Sequence, residues 1–319
     1  MKVILGIDTS CYTTSAALVS MEGELIASSR RLLTVAEGER GLQQSQGLFQ
    51  HVKNLPDMIE RVMADAPDAQ IVAVCASTRP RPVEDSYMPV FRAGESQARA
   101  AAAMLRVPFY AVSHQEGHVR AALVGAGINE KEPFLALHLS GGTTEVLLSD
   151  SGRLTLLGGS LDLHAGQLVD RTGVRMHTGF PAGPALEKLA MLGKPEGLIG
   201  VSIKGINCNL AGAENKVARW LELGNMPKEQ VAAEVFDFIA RTIERMIEAA
   251  CQTTNARQAL LAGGVASSTL LREMLDQRAR KRRLNCRLCY AKPELSGDNA
   301  VGVALLGMEK FRNQSIQVG

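Results

Sequence analysis

The sequence predicts a two-lobed α/β protein built by internal duplication, and three observations carry that reading. A triplet of short strands opens the chain. A matching triplet returns at Phe134, and long amphipathic stretches fill most of what remains. The first triplet falls at residues 3–8, 15–19 and 24–29, with turns at 9–14 and 21–23. The second falls at 134–139, 144–148 and 154–157, with turns at 140–143 and 150–152. In both copies a buried-type apolar strand runs into a small, hydroxyl-rich turn. Such turns present backbone N–H groups and hydroxyls that suit phosphate oxygens. A third glycine turn, Gly263-Gly264-Val265-Ala266-Ser267-Ser268-Thr269, follows a strand at 258–262 and precedes a helix at 270–278. Glycines there let a flat ligand lie against the backbone. A plain strand-to-helix turn is the alternative, since the full dinucleotide fingerprint is absent. Apolar periodicity predicts helices at 42–64, 96–105, 184–192 and 228–251. The lobes are expected at 1–130 and 131–298, with a terminal helix, 299–319, packing back on the first.

Length and composition set the bounds. A chain of 319 residues can bury two cores, and 46% hydrophobic with 21% charged residues is the make-up of a globular protein. A formal charge of +2 gives no global attraction to nucleic acid, so any such contact needs a local patch. The run Arg278-Ala279-Arg280-Lys281-Arg282-Arg283 is one candidate, and Arg79, Arg81 and Arg92 form another. The alternative for the run is a solvated helix end, where cations suit the dipole. The apolar opening run stops at Asp8, too short for a secretory leader, and no run reaches a membrane span. A cytoplasmic protein with no membrane contact is therefore expected. The six scattered cysteines read as reduced thiols, and the lone Cys286-x-x-Cys289 as packing residues on a strand rather than a zinc site.

His114 and His118 are four residues apart, which stacks them on one helix face within reach of one metal ion. Glu116 lies about 200° around the helix from each, which disfavours a zinc-peptidase arrangement. The remaining ligands must come from elsewhere: His138, Asp162, Asp170 and Asp298 are the plausible donors, with helix N-capping the alternative role for Asp298.

Taken in order, Gly6-Ile7-Asp8-Thr9-Ser10-Cys11, the His-x-x-x-His segment at 113–118, Ser140-Gly141-Gly142, 166–170, Gly179-Phe180-Pro181-Ala182-Gly183-Pro184, Gly263-Gly264-Val265 and Asp298-Asn299-Ala300 carry a resemblance. Over nearly its whole length the chain resembles the TsaD-type tRNA N6-threonylcarbamoyladenosine synthases. The resemblance implies a duplicated actin-like, Hsp70-like (ribonuclease H-like) fold with a nucleotide cleft between the lobes. It implies iron or zinc held by His114, His118 and Asp298. His138 stands where some members place a metal-ligating tyrosine and is expected as a fourth ligand. Nucleotide contacts are expected at Ser10, Leu139, Ser140, Gly141, Gly142, Thr143, Asp170, Gly183, Gly264 and Ser268. Asp8 is the nearest general base by analogy, and Ser140 joins it as a catalytic candidate. The implied reaction transfers a threonylcarbamoyl group from its adenylate to N6 of the adenine beside a tRNA anticodon, releasing AMP. The nucleotide ligand is threonylcarbamoyl-AMP, or ATP or AMP. The implied partners are tRNA, a smaller TsaD-like paralogue and a helper ATPase.

The chain departs from that family at several points. Tyr12-Thr13 stands where the family carries Asp-Glu, Thr143 where it has histidine or asparagine, and Ser268 where it has asparagine. Thr78-Arg79-Pro80-Arg81-Pro82 replaces a glycine-proline turn, and Asn207 replaces a lysine. Two other readings follow. One is a divergent paralogue using a carbamoyl or acyl adenylate, or ATP, on another acceptor. The other is a non-catalytic nucleotide-binding subunit.

Overall fold

A computed structural model describes residues 1–35 and 42–317 of the chain. In chain order the strands are β1 (Lys2–Thr9), β2 (Thr13–Ser20), β3 (Leu25–Leu32), β4 (Gln70–Arg79), β5 (Phe109–Ser113), β6 (Phe134–Leu139), β7 (Thr144–Asp150), β8 (Arg153–Gly159), β9 (Ser202–Lys204), β10 (Asn207–Asn209), β11 (Gln258–Ala262) and β12 (Arg287–Tyr290). The helices are α1 (Gln44–Ala64), α2 (Phe91–Leu105), α3 (His114–Leu123), α4 (Ala165–Arg175), α5 (Gly183–Ala190), α6 (Ala211–Leu223), α7 (Lys228–Thr254), α8 (Thr269–Arg282), α9 (Pro293–Ser296) and α10 (Val301–Gln317). The chain divides into two compact units, one of residues 1–124 with 297–319 and one of residues 125–296.

The first unit is built on a five-stranded sheet in the order β3-β2-β1-β4-β5. β1 and β2 pair antiparallel, while β1–β4 and β4–β5 are parallel. Every residue of β1 after Lys2, and every residue of β2, is buried, as expected of strands covered on both faces. β3 lies at the edge and alternates in burial. Leu55, Met58 and Val62 of α1 and Ala98 and Ala102 of α2 close one core against Val3, Leu5, Ile7 and Val74. α10 packs on β1, β4 and α3. The terminal helix expected at 299–319 is observed from Val301 to Gln317, and its last two expected residues lie outside the described ones.

The second unit repeats the plan, with a sheet in the order β12-β11-β6-β7-β8. Each unit therefore begins with an antiparallel meander whose first strand takes a parallel neighbour on its other side. The bulge even recurs, between Leu18 and Val19 on β2 and between Val146 and Leu147 on β7. α7 runs through the core of this unit: Phe236, Phe238, Ile239, Ile243 and Met246 are all within the same apolar cluster as Leu135, Leu137 and Leu261. No helix among the described residues is long and apolar enough to cross a membrane.

Several elements differ from the reading of the sequence in extent, α2 and α7 among them. α2 begins at Phe91 rather than at 96, because Phe91, Ala93 and Gly94 already face the core. α7 continues to Thr254 and stops where Asn255 adopts a left-handed conformation, φ 58°. β4, β5, β9, β10, α4, α6 and α9 were not anticipated. β4 is a nearly continuous apolar run, which periodicity cannot separate from a buried helix. α4 carries Gly166, Thr172 and Gly173, which dilute helix propensity.

Candidate metal centre and nucleotide pocket

The metal candidates come together in the first unit. β5 ends at Ser113, whose hydroxyl accepts the Glu116 N–H at 3.2 Å, while the Glu116 carboxylate accepts the Ser113 N–H at 2.7 Å. This capping box starts α3 at His114 and uses Glu116 as a cap. His114 and His118 then sit one turn apart, with ring centroids 4.3 Å from each other and Nε2 atoms 3.0 Å apart. Asp298 reaches them from the segment before α10, its Oδ1 2.9 Å from His118 Nε2 and 3.7 Å from His114 Nε2. Asp298 does not cap that helix: the Asn299 side chain accepts the Val301 N–H at 2.9 Å.

Among the described residues His114, His118 and Asp298 form the one group able to hold a metal, with one ligand atom from each all within 4.8 Å. The chemistry of the set fits a cation. Two imidazole nitrogens and a carboxylate oxygen point at one spot, a donor set that suits zinc or iron. His114 Nδ1 donates to Asp8 Oδ1 at 2.8 Å, so Nε2 is the nitrogen turned toward His118 and Asp298. Asp8 is wholly buried, its Oδ1 also accepts the Ser77 hydroxyl at 2.5 Å, and its Oδ2 has no hydrogen-bond partner. Asp8 therefore holds the His114 imidazole from behind. Asp8 Oδ1 is thus engaged by both His114 and Ser77.

Electrostatics point the same way. Burial pushes His114 down, but the neighbouring Asp8 and then Asp298 outweigh it and carry the imidazole up to about 9. Burial alone would raise Asp298; the His118 hydrogen bond and the charges of both histidines hold it well below the usual carboxylate range. The spot where the three side chains converge is one that favours positive charge.

His138 lies on β6 of the second unit, beside Gly263, and is not in the three-residue group. Asp162, another donor considered, is taken up structurally. Its carboxylate accepts the N–H groups of Leu163, Leu210 and Ala211 and the Asn209 amide, at 2.5–3.2 Å. Burial raises its pKa, and the Leu210, Leu163, Asn209 and Ala211 donors together bring it below the ordinary value. Its contribution to stability is therefore complete above the usual carboxylate range and is lost as pH falls through the depressed folded value. Asp162→Ala is expected to destabilise the protein by about 1–2 kcal/mol at neutral pH. Denaturant titrations of both proteins should show the difference shrink in acid.

The second unit holds a cavity of about 380 Å³. Of the expected nucleotide residues, Ser140, Gly141, Asp170, Gly183, Gly264 and Ser268 line it. Gly142 and Thr143 belong to the same turn, which is closed by Ser140 N–H donating to Thr143 O at 2.8 Å and Gly142 N–H donating to Ser140 Oγ at 3.3 Å. The Leu139 side chain is fully buried in the core, so only its backbone is available. Ser10 belongs to the first unit, where its hydroxyl meets Asp298.

The cavity is ringed by the N-termini of α4, α5 and α8, whose dipoles favour an anion. A Cβ on Gly141, Gly183 or Gly264 would meet nothing within 4 Å, so their backbones are open to a ligand. Gly166 is the opposite case: a Cβ there would lie 2.5 Å from Gly141 N, so α4 can approach the turn only with glycine. Two carboxylates fix this frame. Asp170 accepts the Ala182 N–H at 2.8 Å at the start of α5, and Glu187 accepts the Leu270 N–H at 2.8 Å in α8. Burial lifts Asp170, with the Ala182 N–H opposing it. Glu187 and Phe236 line the cavity without having belonged to any recognisable motif.

The model of the family described as TsaD, tRNA N6-adenosine threonylcarbamoyltransferase, matches residues 46–305. The chain belongs to this family of enzymes. It is 28% identical over 311 residues to the tRNA N6-adenosine threonylcarbamoyltransferase of Methanopyrus kandleri, covering 96% of this chain and 87% of that one. It is 27% identical over 310 residues to a probable bifunctional tRNA threonylcarbamoyladenosine biosynthesis protein of Methanothermobacter thermautotrophicus, covering 97% of this chain and 56% of that one. Among solved structures, the activator of the 2-hydroxyisocaproyl-CoA dehydratase from Clostridium difficile superposes with a TM-score of 0.57 at 17% identity, over 99% of this chain and 98% of that one. That likeness confirms the actin-like, Hsp70-like fold.

Of the basic candidates, Arg81, Arg92, Arg280, Lys281, Arg282 and Arg283 are exposed, and some carry ion pairs. Arg278 pairs with Glu244 at 2.8 Å, Arg282 approaches the same carboxylate at 3.5 Å, and the run forms the last turn of α8. Arg92 pairs with Glu95.

Proposed function

We propose that the protein transfers a threonylcarbamoyl group from an adenylate to N6 of an adenine in tRNA, with a bound divalent metal. The observation that carries this reading is the convergence of His114, His118 and Asp298 on one point, with Asp8 holding His114 from behind, in a chain of the TsaD family. His114, His118 and Asp298 would hold zinc or iron. When bound, that ion supplies Lewis acidity that orients and polarises the acyl donor. The second unit's cavity supports the adenylate half. The α4, α5 and α8 N-termini favour the phosphate, and the bare backbone at Gly141, Gly183 and Gly264 accommodates a flat ring. N–H groups of the 140–143 turn are suited to stabilise the phosphate as AMP departs. tRNA, a smaller paralogue and a helper ATPase are the proposed partners.

A second reading has its own support. Tyr12 is exposed and Thr13 buried, so the turn after Cys11 offers no carboxylate where the family carries two. This favours a divergent enzyme that passes a carbamoyl or acyl adenylate to another acceptor. One assay separates them: purified protein, metal, threonylcarbamoyl adenylate and unmodified tRNA, with helper subunits. Modified tRNA is the expected product. AMP release without tRNA modification supports the second reading, and absence of nucleotide binding overturns both.

A further inference from the structure

His51 is wholly buried on α1, a helix that contributes nothing to the ligand set. Its Nε2 lies 2.8 Å from the Ser10 carbonyl oxygen and its Nδ1 2.8 Å from Thr14 Oγ1. A carbonyl only accepts, so Nε2 carries the proton and donates to Ser10. Nδ1 is then the lone-pair nitrogen and accepts the Thr14 hydroxyl. Burial pushes the ring's pKa down, which keeps it in this neutral form.

Ser10 is the other half of the arrangement. Its hydroxyl accepts the Thr13 N–H at 3.2 Å and donates to Asp298 Oδ2 at 2.5 Å, while Asp298 Oδ1 faces His118. The turn held by His51 thus carries the hydroxyl that tells the two oxygens of Asp298 apart. Without it the carboxylate, on a short segment between α9 and α10, could rotate and present either oxygen.

We propose that His51 is a positioning residue for the metal centre: by gripping the Ser10 carbonyl it delivers the Ser10 hydroxyl to Asp298 and so presets that carboxylate for the cation. The inference rests on the reading of His114, His118 and Asp298 as ligands.

The full-length protein, stripped of metal, is titrated with Zn²⁺ in competition with a chromophoric chelator. Ser10→Ala is expected to weaken zinc binding by about 10–100-fold. His51→Phe, which keeps ring volume and removes the donor, is expected to weaken it by about tenfold. His51→Gln, which retains an N–H donor, should lie near the wild type. The Ser10→Ala/His51→Phe double variant should bind no more weakly than Ser10→Ala alone, because His51 acts through Ser10. A folded His51→Phe protein with wild-type zinc affinity but a lower melting temperature would overturn the proposal, as would fully additive losses. Should His51→Phe not fold, Thr14→Val removes the hydroxyl that fixes the tautomer and is expected to weaken zinc binding; unchanged affinity there would equally overturn it. A wild-type protein that fails to take up Zn²⁺ overturns the ligand reading itself, a result distinct from any of these.

Discussion

His118→Ala is expected to abolish stable metal binding, and His114→Ala to do the same. The wild-type protein should retain about one equivalent of zinc or iron per chain after desalting, and either variant none. The reason is geometric. Three donor atoms converge within 4.8 Å, and removing one leaves two, which cannot outcompete water for a divalent ion. His118 is nine-tenths buried, so no water-borne ligand readily takes its place. The loss in affinity should exceed the roughly 10–100-fold typical of groups behind the ligands. Asp8→Asn supplies that comparison, since it weakens the hold on His114 Nδ1 without removing a donor. Elemental analysis and chelator competition measure both. Equal metal content in His118→Ala and wild type would refute the site.

Gly302→Ala is expected to destabilise the first unit by about 3 kcal/mol, at the upper end for overpacking, and to lower metal affinity with it. α10 and α3 cross where Gly302 meets Gly117, and a Cβ on Gly302 would overlap the Gly117 carbonyl oxygen. Gly6 on β1 makes a similar contact, since a Cβ there would lie 2.6 Å from Ala304 N and 2.7 Å from the Ala300 carbonyl. Backbone, not a flexible side chain, blocks each of these, so the helix itself must move. Asp298 lies just before α10 and His118 beside Gly117, so a shift of α10 lengthens the 2.9 Å contact between them. Chemical denaturation and zinc titration check the two halves. A Gly302→Ala protein as stable as wild type would show that the crossing is slack.

Much of this was legible in the chain itself. The strand triplets reappear as two meanders of the same order, because a buried strand followed by a small polar turn is a strong local signal. The histidine pair was legible because helical spacing fixes which side chains share a face. The role of Asp8 was not, because its partner His114 lies far along the chain and only the β1–β4–β5 order brings them together. His51 was invisible for the same reason: inside an amphipathic helix it reads as one more polar residue. Glu187 and Phe236 carry no motif and reach the cavity only through the packing of α5 and α7. Asp162 could stand among the plausible donors because a carboxylate that gathers backbone N–H groups looks, in sequence, like one free to bind a metal.

The first unit is assembled from two pieces of chain, residues 1–124 and 297–319, and the second piece brings Asp298. On the ribosome, His114 and His118 emerge long before their carboxylate partner. A nascent chain ending short of Asp298 has only two imidazoles to offer, so on the proposed reading capture of an ion would follow synthesis of the entire intervening unit.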